Sequence, residues 1–185
     1  EREAPDSLTL ATTYNNIALV YDARGQLDEA LQLHAKARVI QEREAPDSLT
    51  LATTYNNIAG VYDARGQLDE ALQLYAMARV IQEREAPDSL TLATTYNNIA
   101  EVYRARGQLD EALQLYAMAR VIQEREAPDS LTLATTYNNI AGVYKARGQL
   151  DEALQLYATA REIEEREAPD SLTLATTYNN VAQVH

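Results

Sequence analysis

Arg43-Glu44-Ala45-Pro46-Asp47-Ser48-Leu49-Thr50-Leu51-Ala52-Thr53-Thr54-Tyr55-Asn56-Asn57 decides the fold, because the same string occurs five times in 185 residues. Its proline recurs at Pro5, Pro46, Pro87, Pro128 and Pro169, a spacing of 41 each time. A second block, Ala-Arg-Gly-Gln-Leu-Asp-Glu-Ala-Leu-Gln-Leu, follows four times, with its glycine at Gly25, Gly66, Gly107 and Gly148. A fixed period of this size marks a repeat architecture, in which each unit is one supersecondary element that buries its apolar faces against its neighbours. The sequence therefore predicts one array over 1–185, with repeats at about 5–45, 46–86, 87–127 and 128–168 and a half repeat at 169–185 that supplies a first helix only.

Within one unit, Leu10, Tyr14, Ile17, Ala18 and Tyr21 follow the i, i+4, i+7, i+8, i+11 spacing of a helix face. After Gly25, whose missing side chain suits a turn between antiparallel helices, Leu27, Ala30, Leu31, His34 and Ala37 repeat the pattern. Asp28 and Glu29 fall in the first turn of this second helix, where acidic groups complement the macrodipole. Pro46 lacks an amide donor and pushes Ala45 out of helical geometry, and Asp47 or Ser48 can cap the helix that follows. Leu8-Thr9-Leu10-Ala11-Thr12 alternates like a strand, but the same residues continue into the helical stripe. Leu19, Val20 and Leu33 lie off the main stripes, so each helix needs neighbours on both flanks. Stacked pairs provide them; a lone pair cannot.

Composition narrows the function. With 46% hydrophobic residues the chain can bury a sizeable core, and without Cys it has no disulfide, thiolate metal site or cysteine nucleophile. A cytoplasmic setting is expected. No apolar run approaches the roughly 20 residues that span a bilayer, and the first residues do not resemble a signal peptide. A formal charge of −12 would repel nucleic acid and anionic membrane surfaces, so neither is an expected partner. The acidity belongs to the repeat, since Arg43 to Glu83 carries six acidic and three basic residues.

The repeat resembles a known family. Ile17-Ala18, Tyr21, Gly25, Leu27, Ala30, His34 or Tyr75, and Ala37 match the spacing of the tetratricopeptide repeat along the whole chain. Leu-Ala-Thr-Thr-Tyr-Asn-Asn-Ile-Ala and Gly-Gln-Leu-Asp-Glu-Ala-Leu look like the longer repeats of kinesin light chains, although the unit has 41 residues where that subfamily has 42, and Glu-Ala-Pro-Asp-Ser where it has a Gly-containing linker. The resemblance implies an all-α solenoid of antiparallel helix pairs with a right-handed superhelical stack. It also implies that the first helix of each pair lines a concave groove for a peptide or partner protein.

Comparison of the copies points to where such a partner would sit. Along the first helix they differ mostly at two places: Leu19, Gly60, Glu101, Gly142 and Gln183, and Asp22, Asp63, Arg104 and Lys145. These positions are three apart and share a face, which Asn15 and Thr12 continue. The expected binding ladder comprises these residues with Asn15, Asn56, Asn97, Asn138 and Asn179, whose amides can pair with a ligand backbone of any sequence. The competing reading is drift at exposed positions, with Glu101 and Arg104 a simple surface pair. Asn16 and its equivalents are expected to hydrogen-bond across the helix junction. The series Asp22, Asp63, Arg104, Lys145 runs from acidic to basic and favours a ligand of opposite polarity. The dicarboxylate clamp of some tetratricopeptide domains needs Lys where this chain has Asn15, which argues against specific capture of an acidic C-terminus.

Catalysis is not expected, and the sequence asks for no cofactor or metal. His34 replaces Tyr75, Tyr116 and Tyr157 and reads as a polar-tipped core residue. His185 stands in the place of Tyr21, Tyr62, Tyr103 and Tyr144 or belongs to an expression tag. Adjacent Asp28 and Glu29 diverge by about 100 degrees on a helix and cannot work as a carboxylate pair. An alternative to ligand binding is a consensus-like structural array that associates head to tail through apolar faces at its ends.

Overall fold

A computed structural model describes residues 7–184; Pro5 and His185 lie outside the described residues. Among these there are nine α-helices and no strand. Contacts divide the chain at a repeat boundary into two compact units, Glu1–Pro87 and Asp88–His185. The first unit holds α1 (Ser7–Ala23), α2 (Leu27–Glu44), α3 (Leu49–Ala64) and α4 (Leu68–Glu85). The second holds α5 (Leu90–Ala105), α6 (Leu109–Glu126), α7 (Leu131–Ala146), α8 (Leu150–Glu167) and α9 (Leu172–Ala182). Leu8 to Thr12, with its strand-like alternation, is helical.

The starts and stops of the first helices have local causes. Ser48 Oγ accepts from the Leu51 amide at 3.1 Å, and Ser130 and Ser171 cap α7 and α9 in the same way. Asp47 does not cap and instead pairs with Arg84 at 2.6 Å. At the end of α3, Gly66 has φ +72, its amide donates to the Asp63 carbonyl at 2.8 Å, and the Gln67 amide reaches back to Tyr62 at 2.9 Å. These two bonds close the helix and need a residue at positive φ between them.

The packing follows the predicted stripes and extends past them. Leu51, Tyr55, Ile58 and Ala59 of α3 are buried, as are Ala71, Tyr75 and Ala78 of α4. Val61 and Leu74, off the main stripes, are also buried, at 1% and 7% exposure. Helices therefore bury two flanks, one against the pair partner and one against the adjacent pair.

A buried polar network sits at the junction between pairs. Thr54 Oγ1 of α3, fully buried, donates to Gln41 Oε1 of α2 at 2.7 Å and accepts from Asn15 Nδ2 of α1 at 2.6 Å. In the second unit Thr136 of α7 repeats both bonds, with Gln123 at 2.8 Å and Asn97 at 2.7 Å. At the next junction Asn138 Nδ2 donates to Thr177 Oγ1 at 2.7 Å and to Glu164 Oε1 at 3.1 Å. Around these cores run exposed ties: Arg65 to Asp28, Arg125 to Asp88, Arg147 to Asp110 and Arg166 to Asp129, together with Tyr55 to Glu42 and Tyr137 to Glu124. Solvent screens the exposed ion pairs, so the buried network carries the specificity.

No helix among the described residues is long and apolar enough to cross a membrane, and no group of three His, Asp or Glu side chains there could hold a metal ion.

Two substitutions probe the turn and the junction. Nothing lies within 4 Å of a side-chain carbon added at Gly66, so Gly66→Ala isolates the backbone strain of positive φ and should cost about 1 kcal/mol in urea unfolding. Glu164 occupies the place of Gln41 and Gln123, is fully buried, and leaves Oε2 without a hydrogen-bond partner. Glu164→Gln replaces the buried carboxyl by the amide of the other junctions and should raise stability by about 1 kcal/mol in the same measurement.

Candidate functional site

The first-helix residues that vary between copies converge on one side chain per repeat. Positions three apart on the first helix share a face, and the second helix brings its aromatic or histidine residue up beneath them. In the first repeat Asp22 lies near enough to act on His34, which is fully buried. His34 Nδ1 lies 2.8 Å from Asn15 Oδ1; the amide oxygen accepts, so the ring donates through Nδ1 and keeps Nε2 buried without a partner. Burial pulls the His34 pKa below its ordinary 6.5, and the Asp22 carboxylate opposes that shift. In the second repeat Tyr75 replaces histidine and its hydroxyl stops 3.8 Å from where a Gly60 side chain would begin. Burial, and next the Asp63 carboxylate, push the Tyr75 phenol upward.

The second unit repeats the arrangement with different chemistry. Tyr116 Oη donates to the Glu101 carboxylate, which also receives Arg104 at 2.5 and 2.9 Å. One repeat later, Gly142 replaces the carboxylate and the Tyr157 hydroxyl comes to 3.9 Å from the position of a side-chain carbon there. Lys145 takes the place of Arg104 and donates to Gln183 Oε1 at 2.8 Å. Arg104 from α5, Asn138, Asn139, Gly142 and Lys145 from α7, Tyr157 from α8 and Asn180 from α9 line one cavity of about 310 Å³. In the first unit a cavity of about 290 Å³ lies between α1 and α3 and is lined by Thr12, Asn15, Asn16, Leu19, Thr53 and Asn57.

The two asparagines of each repeat differ in what they bond to, while Asn15 and Asn138 line the same cavities as Asn16 and Asn139. Asn15, Asn97 and Asn138 spend their amide N–H groups on threonines across the junction, and the Oδ1 atoms of Asn97 and Asn138 are buried without a partner. Asn16, Asn57, Asn139 and Asn180 line the open cavities beside Asn15 and Asn138. The stripe that faces outward is 12, 16, 19, an i, i+4, i+7 row. Position 15 lies about 100 degrees from 16, toward the neighbouring repeat. Asn56 is half-buried, Asn179 is exposed and Gln183 ends α9.

Three participants were missed at the level of sequence: Thr54 and its equivalents, Gln41 with Gln123, and the second-helix tyrosines. A signal for the last was present. Leu19 accompanies His34, whereas Gly60, Glu101 and Gly142 accompany tyrosine at the equivalent second-helix position.

A sequence model described as tetratricopeptide repeat matches residues 9–84, 50–125, 91–163 and 132–185. The chain belongs to the tetratricopeptide repeat family. Its fold is similar to that of BtubC (BKLC) from P. vanneervenii, with 23% identity and TM-score 0.86 over 96% of this chain and 72% of the other. It is also similar to a kinesin light chain of Podosopora anserina with nearly identical TPR-like repeats, at 22% identity and TM-score 0.81 over 98% and 87% of the two chains. No curated protein matches. Tetratricopeptide repeats are generally protein-interaction scaffolds, and the concave face of stacked repeats supplies an extended contact surface.

The buried histidine of this tetratricopeptide array gives a pH prediction. An unfolded chain protonates its histidine below pH 6.5, whereas folded His34 resists protonation until a lower pH. Its influence on stability is absent above 6.5, and stability falls as pH drops below that value. Between about pH 7.5 and about pH 5.5 the urea midpoint of the parent should fall more than that of His34→Tyr, which carries the residue of the other repeats.

Proposed function

We propose that this tetratricopeptide chain is a non-enzymatic scaffold that holds an extended peptide or a helix of a partner protein against its first helices. Recognition is carried by Leu19, Asp22, Gly60, Asp63, Glu101, Arg104, Gly142, Lys145 and Gln183. Asn15, Asn56, Asn97, Asn138 and Asn179 belong to the same ladder; Asn15 and Asn138 border its cavities while their amide N–H groups bond across the junction. The single observation that supports this reading is the convergence of Arg104, Gly142, Lys145 and Tyr157, from three helices, on one open cavity.

Charge gives the two units different preferences. Asp22 and Asp63 make the first unit's variable positions acidic, and Arg104 and Lys145 make the second unit's basic. Complementary charge steers encounter and selects partners more than it adds affinity, so binding should weaken as salt rises.

Glu101→Ala, Arg104→Ala and Lys145→Ala combined should abolish most partner capture from a lysate while the far-ultraviolet helical spectrum stays unchanged. Undiminished capture by that triple variant overturns the groove reading.

A second reading, association of the chain with its own copies, is favoured by an apolar hollow of about 430 Å³ lined by Leu10, Tyr14, Lys36, Val39 and Ile40. Sedimentation at millimolar protein should show concentration-dependent association; a strict monomer refutes this reading.

A further inference from the structure

We propose that the Tyr157 hydroxyl, laid open by Gly142, is a specificity-determining contact for a carboxylate side chain of the partner. This rests on the groove reading above. It assigns to one repeat a defined chemical preference and to the residue at the 19-type position the power to grant or withhold it.

The chain contains its own pattern for the contact. In the preceding repeat Glu101 supplies a carboxylate that accepts from the Tyr116 hydroxyl on one side and from Arg104 on the other, at 2.5 and 2.9 Å. Tyr157 and Lys145 are the equivalents of Tyr116 and Arg104, so both donors recur 41 residues on. Gly142 is the equivalent of Glu101 and contributes no carboxylate. Tyr157 is 2% exposed, so its ring is held by packing, and among the described residues its hydroxyl has no hydrogen-bond partner. Lys145 is steadied by Gln183, and Arg104 reaches the same cavity from α5.

A carboxylate brought in by a partner would complete the set that Glu101 completes within the chain. It would accept from Tyr157 Oη and lie beside two cations, with the amides of Asn139 and Asn180 at the cavity wall. The cavity of about 310 Å³ is open enough to admit an Asp or Glu side chain together with water. Tyr75 provides the internal contrast. Its hydroxyl is uncovered by Gly60 in the same way, but Asp63 stands where Lys145 does, and like charge would exclude a carboxylate there.

The test follows the ¹³Cζ resonance of Tyr157 in the full chain labelled at tyrosine, assigned by its loss in Tyr157→Phe. N-acetylglutamic acid α-amide serves as the side-chain probe, N-acetylglutamine α-amide as its neutral counterpart, and N-acetylalanine as a terminal carboxylate. The expected result is a saturable Tyr157 shift with the glutamic acid probe and none with the glutamine probe. Gly142→Glu, which restores the internal carboxylate, should weaken the response by about tenfold or more. Glu101→Gly should make the Tyr116 resonance respond to the acid as well. A Tyr157 signal that ignores the acid, responds equally to the amide, or responds only to N-acetylalanine overturns the assignment. If that happens while the Glu101, Arg104 and Lys145 triple variant still loses partner capture, the Tyr157 contact falls and the groove reading stands; if capture also survives, both fall.

Discussion

The stacking of repeats depends on a threonine hydroxyl that serves two neighbours at once. Thr54 accepts from Asn15 of the preceding first helix and donates to Gln41 of the preceding second helix, in a site with no access to water. A buried hydroxyl left unpaired costs about 1–3 kcal/mol, so a slip of one helix against the next is penalised at each such junction. Apolar packing alone would not impose this. Alanine, leucine and isoleucine contacts tolerate small displacements, whereas three side chains bonded head to tail fix one register. The Arg and Asp ties at the surface follow from that register and add little to it.

The architecture was legible in the sequence because its signals are local. Pro46, Ser48 and Gly66 mark where a helix cannot continue, where it starts and where it stops, and the 41-residue period multiplies each mark. The face of each asparagine was not. Asn15 and Asn16 are chemically identical and adjacent, and both lie beside an apolar stripe, so only the position of the neighbouring Thr54 decides which one turns inward. Near-identity of the copies hid the junction too. When Thr54, Gln41 and the leucines all recur unchanged, constancy between copies distinguishes nothing, and the one change there, Glu164 for Gln, falls at a buried site.

The substitutions at 19, 22 and 34 carry information that constancy does not. The similar structures, at 22% and 23% identity, establish the fold and leave the chemistry of the face to these residues. A chain of net charge −12 places two cations beside a buried tyrosine in its second unit, and two aspartates beside His34 and Tyr75 in its first. That contrast arises on a nearly constant backbone. Recognition is therefore adjusted through a few side chains that the stacking does not need.

The repeated Asn, Thr and Gln junction has a genetic consequence. Removing or duplicating one whole 41-residue unit brings together a first-helix asparagine, a threonine and, except after the unit with Glu164, a glutamine in equivalent positions. Unequal crossing-over within such a coding sequence would change the length of the protein without creating an unfamiliar interface. Selection could then act on which face residues are gained or lost, with little interference from folding.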